Sequence, residues 1–295
     1  MIPPTSIDGT DITGATIDGT DVQEMTVDGD VVFSAGPDLQ FIAYGDRDNN
    51  VYVHDIPGFA LNTTLTNATD IAEGGVSFSP DATLIAYGAF DANVYVHDIP
   101  GFALNTTLTE ANDRIIGGVK FSPDGSLIAY GADDNNVYVH DIPGFALNTT
   151  LTEASSAVDG GPAFSPDGSF IAYGSKDNNV YVHDIPGFGL NTELTNASND
   201  VRGGPAFSPD GSLIAYGAND GNVFIHDVPG FGLNTNLTNA VGNVRTMDFS
   251  GDGQFLAYNS FSDQTIYVHD VPGFALNTTL TAATGGILSL GSFNI

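Results

Sequence analysis

Apolar residues in this chain come in short runs, and the runs repeat. One full cycle opens with GGVKFS at Gly117 and breaks at Pro123-Asp124-Gly125. LIAYG (Leu127–Gly131) follows, then a polar Asp133-Asp134-Asn135 break, then VYVHD (Val137–Asp141). Pro143-Gly144 interrupts again, and ALNTTLT closes the cycle at Thr152. Short runs rich in Val, Ile, Tyr, Phe and Thr, bounded by Gly, Pro and Asx residues, predict strands, and no window carries the stripe of an amphipathic helix. Each cycle predicts four antiparallel strands joined by tight turns.

The cycle is written six times. All the histidines of the chain fall in it, at His54, His97, His140, His183, His226 and His269, each 43 residues after the last. A period of that length marks stacked supersecondary units. One four-stranded sheet cannot cover both its faces, and radial stacking of such sheets gives a β-propeller. The expected fold is all-β: a six-bladed β-propeller of four-stranded antiparallel blades over residues 36–295. A short β-hairpin anchor or stem over residues 1–35 precedes it. The first copy lacks a first strand, reading Ser34-Ala35-Gly36 at that place. The last segment, GGILSLGSFNI, sets Phe293 in register with Phe78, Phe121, Phe164 and Phe207. The C-terminal strand is therefore expected to complete the first blade and remove its open edge.

FSPDGSLIAYG followed by VYVHDIPGFALNTTLT resembles the blade of WD-repeat proteins, with His-Asp where that family has Trp-Asp. GGPAFSPDGSFIAYGSKDNNVYVHD is equally similar to the TolB-like blade, also used in sixes. The likeness spans residues 38–295 and implies the propeller. The Gly-His dipeptide that WD repeats set before the first strand is absent from every copy, so the hydrogen-bond tetrad of that family does not carry over. Propellers host unrelated jobs, and the fold alone assigns none.

Charge changes the picture most. Thirty-six acidic residues stand against 6 basic ones, a formal −30. Such a surface repels itself in dilute buffer, whereas at molar salt the Debye length falls to ~3 Å. With only two lysines, Lys120 and Lys176, the balance points to a halophilic origin. Nucleic acid is not expected as a partner, because the basic patch it requires is missing. The absence of cysteine excludes disulfides and thiolate metal sites. No membrane insertion is expected, since no apolar stretch reaches 18 residues. MIPPTSIDGT has neither the cationic start nor the apolar run of a secretory leader.

A shorter repeat fills the first 35 residues: SIDGTDI, TIDGTDV and TVDGDVV recur every ten residues. Each reads as strand, Asp-Gly turn, strand. IDGTDVQEMTVDGDVVFSA is similar to short paired-strand modules in structural proteins of tailed viruses, which hold accessory domains on the particle. That likeness implies a virion-surface protein of a virus infecting a halophilic archaeon. Its partners would be other virion proteins, capsid or tail, reached through the N-terminal segment, and a host cell-surface glycoprotein or glycan. Several copies acting together as a homo-oligomer would add avidity.

Candidate chemistry is sparse. The six histidines sit on third strands, roughly 10 Å farther from the axis than first strands, so they cannot converge on one ion, which needs nitrogens at ~2.0–2.1 Å. They are read as blade-packing residues. Neighbouring His140 and Asp141 point to opposite faces of a strand, which argues against a catalytic dyad. Ser79, Ser122, Ser165 and Ser208 all precede Pro-Asp with no histidine nearby in sequence, so no nucleophile is expected and the chain is not read as an enzyme. No cofactor is expected. Asp/Asn-rich turns such as Asp177-Asn178-Asn179 resemble fragments of calcium loops but lack the bidentate Glu, leaving at most weak cation binding at high salt. Asn-x-Ser/Thr sequons, Asn62, Asn105, Asn148 and Asn277 among them, come with the copied LNTTLT.

The copies differ in their second-to-third strand turns and in the loops between cycles, which an up-and-down blade puts on one face. Five of the six basic residues lie there: Arg47, Arg114, Lys176, Arg202 and Arg245. This is the candidate recognition face. The opposite face carries Phe59, Phe102, Phe145, Phe188, Phe231 and Phe274, either tucked under the blades or forming an apolar contact patch. Two functions follow: host attachment or particle decoration by a virion accessory protein, and, alternatively, a cellular halophilic scaffold mediating protein–protein interaction.

Overall fold

The computed structural model describes strands Ser6–Ile7, Thr10–Asp11 and Val32–Ala35, and residues 40–281 apart from Pro57. Strands β1 (Ser6–Ile7) and β2 (Thr10–Asp11) pair antiparallel, Ser6 opposite Asp11 and Ile7 opposite Thr10. The hairpins expected over the second and third decapeptides lie outside the described residues.

Six four-stranded antiparallel sheets follow in chain order. Blade one is β3 (Val32–Ala35), β4 (Gln40–Gly45), β5 (Val51–Asp55) and β6 (Leu61–Leu65), and blade two is β7 (Val76–Phe78), β8 (Leu84–Gly88), β9 (Val94–Asp98) and β10 (Leu104–Leu108). Blade three is β11 (Ile115–Phe121), β12 (Leu127–Ala132), β13 (Val137–Asp141) and β14 (Leu147–Leu151). Blade four is β15 (Gly160–Phe164), β16 (Phe170–Gly174), β17 (Val180–Asp184) and β18 (Leu190–Leu194). Blade five is β19 (Val201–Phe207), β20 (Leu213–Ala218), β21 (Val223–Asp227) and β22 (Leu233–Leu237), and blade six is β23 (Val244–Phe249), β24 (Phe255–Ser260), β25 (Thr265–Asp270) and β26 (Leu276–Leu280). First strands of successive blades pack side by side, β3 on β7, β7 on β11, β11 on β15, β15 on β19 and β19 on β23. The molecule is a six-bladed β-propeller with no helix among the described residues.

One expectation is corrected. The first strand of blade one is β3, paired Val32↔Ala43 through Ala35↔Gln40, whereas the sequence reading placed it in the C-terminal segment and assigned residues 32–35 to the anchor. Apolar Val32 and Phe33 lie close enough in sequence to Gln40–Gly45 for a local hairpin, a shorter closure than one spanning the whole chain. Phe293 lies outside the described residues.

Pairing explains why the second and third strands have different compositions. In blade three, Ile128↔His140 and Tyr130↔Tyr138 share one face, and Ala129↔Val139 and Gly131↔Val137 share the other. The bulky face of each blade lies on the slim face of the blade before it. Ala86, Val94, Val96 and Leu108 of blade two thus meet Ile128, Tyr130 and Tyr138 of blade three. Equivalent seams join blades one to two, three to four, four to five and five to six. Each fully buried Ile or Val in a seam contributes ~1.5–3 kcal/mol. Among the described residues no such cluster joins blade six to blade one: Leu280 is 52% exposed where its counterpart Leu151 is 2%.

First strands come close enough that a side chain would not fit. A Cβ on Gly161 would lie 1.8 Å from the Gly117 carbonyl oxygen of the neighbouring blade. The Ser-Pro-Asp turns are held by a small network: Ser122 Oγ donates to Asp124 Oδ1 (2.6 Å) and accepts from the Leu127 amide (2.9 Å). These hydroxyls, then the Ser126 amide and hydroxyl, hold the Asp124 carboxyl below the usual carboxylate range, and Asp167 and Asp210 match it.

Candidate interaction face

The histidines are part of the scaffold. His140 and His183 are fully buried, and the Nδ1 of all six lies 2.9–3.2 Å from a phenylalanine carbonyl five residues on, Phe145 O for His140. A carbonyl only accepts, so Nδ1 is the donor. Each ring stacks on the second-strand tyrosine, His140 on Tyr130 at 5.6 Å. To turn its carbonyl inward, the phenylalanine adopts a left-handed backbone, with φ of 55° at Phe145. Its ring tucks into the seam, as Phe102 does edge-on to Phe41 at 5.2 Å. The apolar exposure on the blade rims belongs to leucine instead: Leu104, Leu147, Leu190 and Leu233 are 44–48% exposed.

The aspartate after each histidine accepts from a fourth-strand Asn Nδ2, Asp141 from Asn148 at 2.6 Å. The Asp-rich turns clasp neighbouring loops. Asp134 Oδ2 accepts from the Asn112 amide (2.7 Å) and the Tyr138 hydroxyl (2.8 Å), and Asp91, Asp177 and Asp263 do the same for their blades. Burial and then Asp134 push the Tyr138 hydroxyl up to about 12. Among the described residues no group of three His, Asp or Glu is placed to hold a metal ion.

Three of the five cations on the candidate face join one continuous network. Arg114 NH2 bonds Asp133 within its own blade, and Lys176 reaches Asp133 (3.6 Å) and Asp159 (3.4 Å). Arg202 continues the chain to Asp159 (3.4 Å) and Asp200 (3.1 Å), and Asn219 Nδ2 reaches Asp200 at 3.4 Å. At the near end the Arg114 guanidinium lies 5.2 Å from the Phe90 ring centre. Arg47 stands apart on Glu73 (2.6 Å), and Arg245 lies over Phe261 at 4.5 Å. The arc follows the ends of the first strands across blades two to five, at the mouth of the ring. Partly exposed pairs of this kind add little stability, ~0–1 kcal/mol each.

Sequence reasoning found the cations and missed their partners. Two of the ion pairs that cross between blades, Asp133 with Lys176 and Asp159 with Arg202, join residues 43 positions apart. They are the same repeat position in consecutive copies, so comparing the copies column by column would have shown them. A second omission is a pair of part-buried trios. Glu110 Oε2 accepts from the Tyr130 hydroxyl (3.2 Å), which also lies 3.2 Å from His140 Nε2, and Glu153 accepts from Tyr173 (3.2 Å) beside His183. The other described seams have asparagine at the glutamate's place.

Residues 76–159 match the family described as the WD40 domain of anaphase-promoting complex subunit 4. Residues 149–184, 195–227 and 234–270 match the WD domain, G-beta repeat. No curated protein matches the chain. The matched stretches fall in blades two to six, and the six-bladed propeller is thus built of repeats similar to WD repeats. The stacked Tyr–His pair and its phenylalanine carbonyl occupy the interior of each blade.

Proposed function

We propose that this chain is a protein-interaction scaffold whose partner binds at the mouth lined by Arg114, Asp133, Lys176, Asp159 and Arg202. One observation carries the reading. The blade bodies are copied almost unchanged, while the positions at which copies differ are linked to one another on a single face. A graded arc of alternating charge gives register and selectivity more than raw affinity. A photo-crosslinking residue at Asn112 or Asn199, on the mouth loops, is expected to capture a discrete partner in the native cell. The same residue at Ser126 or Ser212, on the opposite face, is expected to capture none. Crosslinks from the Ser126 and Ser212 sites alone would sink the proposal.

A narrower version is favoured by the net charge of −30 and the N-terminal decapeptides. In it the scaffold decorates the surface of a virus of halophilic archaea, residues 1–35 hold other virion proteins, and the mouth faces a host glycoprotein or glycan. Labelled full-length chain would then bind intact haloarchaeal cells saturably in molar salt. Without saturation on any strain, the cellular scaffold reading stands.

A further inference from the structure

One mouth cation has no counter-charge among the described residues. Arg47, Arg114, Lys176 and Arg202 are each ion-paired. Arg245 instead lies over the Phe261 ring, its guanidinium carbon 4.5 Å from the ring centre, with a buried Nε that has no partner. In a chain of net charge −30, an arginine that no carboxylate reaches among the described residues is the exception to explain.

Its surroundings are specialised. Both blades begin their first strand with Val-Arg, Val201-Arg202 and Val244-Arg245, but blade five continues with Gly203-Gly204 and has Gly217 where blade six has Thr246-Met247 and Asn259. Asn259 is fully buried, and its Oδ1 accepts from the peptide N–H groups of both Arg245 and Thr246, at 3.1 and 3.0 Å. The backbone carrying the arginine is thereby fixed by a side chain that the other blades lack. Thr246 Oγ1, and Asn219 Oδ1 on the neighbouring blade, are also buried without partners. Asn259, a departure from the repeat in this blade, therefore holds in place the backbone that carries the cation.

We propose that Arg245, with Phe261 as its platform, is the anchoring contact for a carboxylate of the bound partner, either an acidic side chain or a chain terminus. The planar guanidinium fork matches a carboxylate and forms charge-assisted bonds with it. Stacking on an aromatic face restrains the guanidinium and partly desolvates it, which strengthens such bonds. A single carboxylate suits the site better than a polyphosphate, which the surrounding acidic surface would repel more strongly. This inference rests on the mouth being the binding face.

The test uses full-length protein labelled with nitrogen-15 at its arginines, titrated with acetate at constant ionic strength, with chloride as control. Of the four arginine Nε–H signals, the one lost in Arg245→Lys is expected to move saturably. Phe261→Leu, which keeps an apolar body, is expected to weaken the apparent affinity about threefold. An immobile Arg245 signal, or four signals drifting in parallel with acetate, overturns the proposal. The crosslinking yield from Asn199 separates this inference from its parent: undiminished yield in Arg245→Lys means Arg245 is not the anchor although the mouth still binds. If the mouth sites yield no crosslinks at all, the scaffold reading fails, and the acetate titration still decides whether Arg245 receives a carboxylate.

Discussion

Two tyrosines at the same repeat position show what a single hydroxyl is worth. Tyr130 OH is shared between Glu110 and His140, whereas Tyr216 OH is buried without a partner. Removing a satisfied buried hydroxyl costs about 1 kcal/mol, and removing an unsatisfied one is neutral or stabilising. Tyr130→Phe is therefore expected to lower the urea midpoint and Tyr216→Phe to leave or raise it; the reverse order would contradict the assigned partners. Protons act at this scale too. Burial holds His97, His226 and His269 below the ordinary histidine value, outweighing the carbonyl that each contacts. As pH falls through ~6.5, the unfolded chain binds protons that the folded chain refuses. Stability should fall from there. It should fall again below about pH 4, where Asp124, Asp167 and Asp210, whose folded values are depressed, lose the stability they contribute above their unfolded values. Melting temperature measured from pH 8 to pH 3 checks both steps, and a rise between pH 7 and pH 5 would count against the first.

At the scale of elements, the first strands are the least tolerant. Gly161→Ala would drive a methyl into the Gly117 carbonyl, so one blade or its neighbour must move. A loss of more than about 2 kcal/mol is expected, against little change for Gly189→Ala, whose position has open space and an ordinary backbone. Chemical denaturation of the two variants side by side makes the comparison. The element pattern itself was legible in the residues: period, strand number, turn positions and the His-bearing strand all follow from runs and breaks. β3 was not, because Val32–Ala35 runs on from the third decapeptide and lacks the Phe-Ser-Pro signature of the other first strands. The mouth network was half legible. Cations stand out in an acidic chain, but which aspartate each one meets depends on the radial neighbour, a relation invisible along one copy. Phe90 and Phe261 as platforms for arginine had no signal beyond their departure from the repeat.

For the whole molecule the deciding quantity is charge density. A net −30 on 295 residues destabilises the compact state through self-repulsion, and screening removes that cost as the Debye length shrinks from ~10 Å at 0.1 M to ~3 Å at 1 M. Melting temperature should climb steeply with sodium chloride over this range, and a flat response would mean the seams alone set stability. The mouth arc should weaken over the same range, since its pairs are partly exposed. Stability and recognition thus have opposite salt dependences.

The interblade pairs have a consequence for inheritance. Blade bodies this alike are interchangeable as packing units, so a tandem duplication of one would add a blade that fits its seams. The mouth is not interchangeable in that way. Lys176 finds Asp133 and Arg202 finds Asp159 at the same position one copy earlier. A duplicated fourth blade would therefore set Lys176 beside a second copy of itself. Copying errors that the scaffold accepts are rejected at the mouth, and the order of the blades becomes a heritable trait distinct from their number.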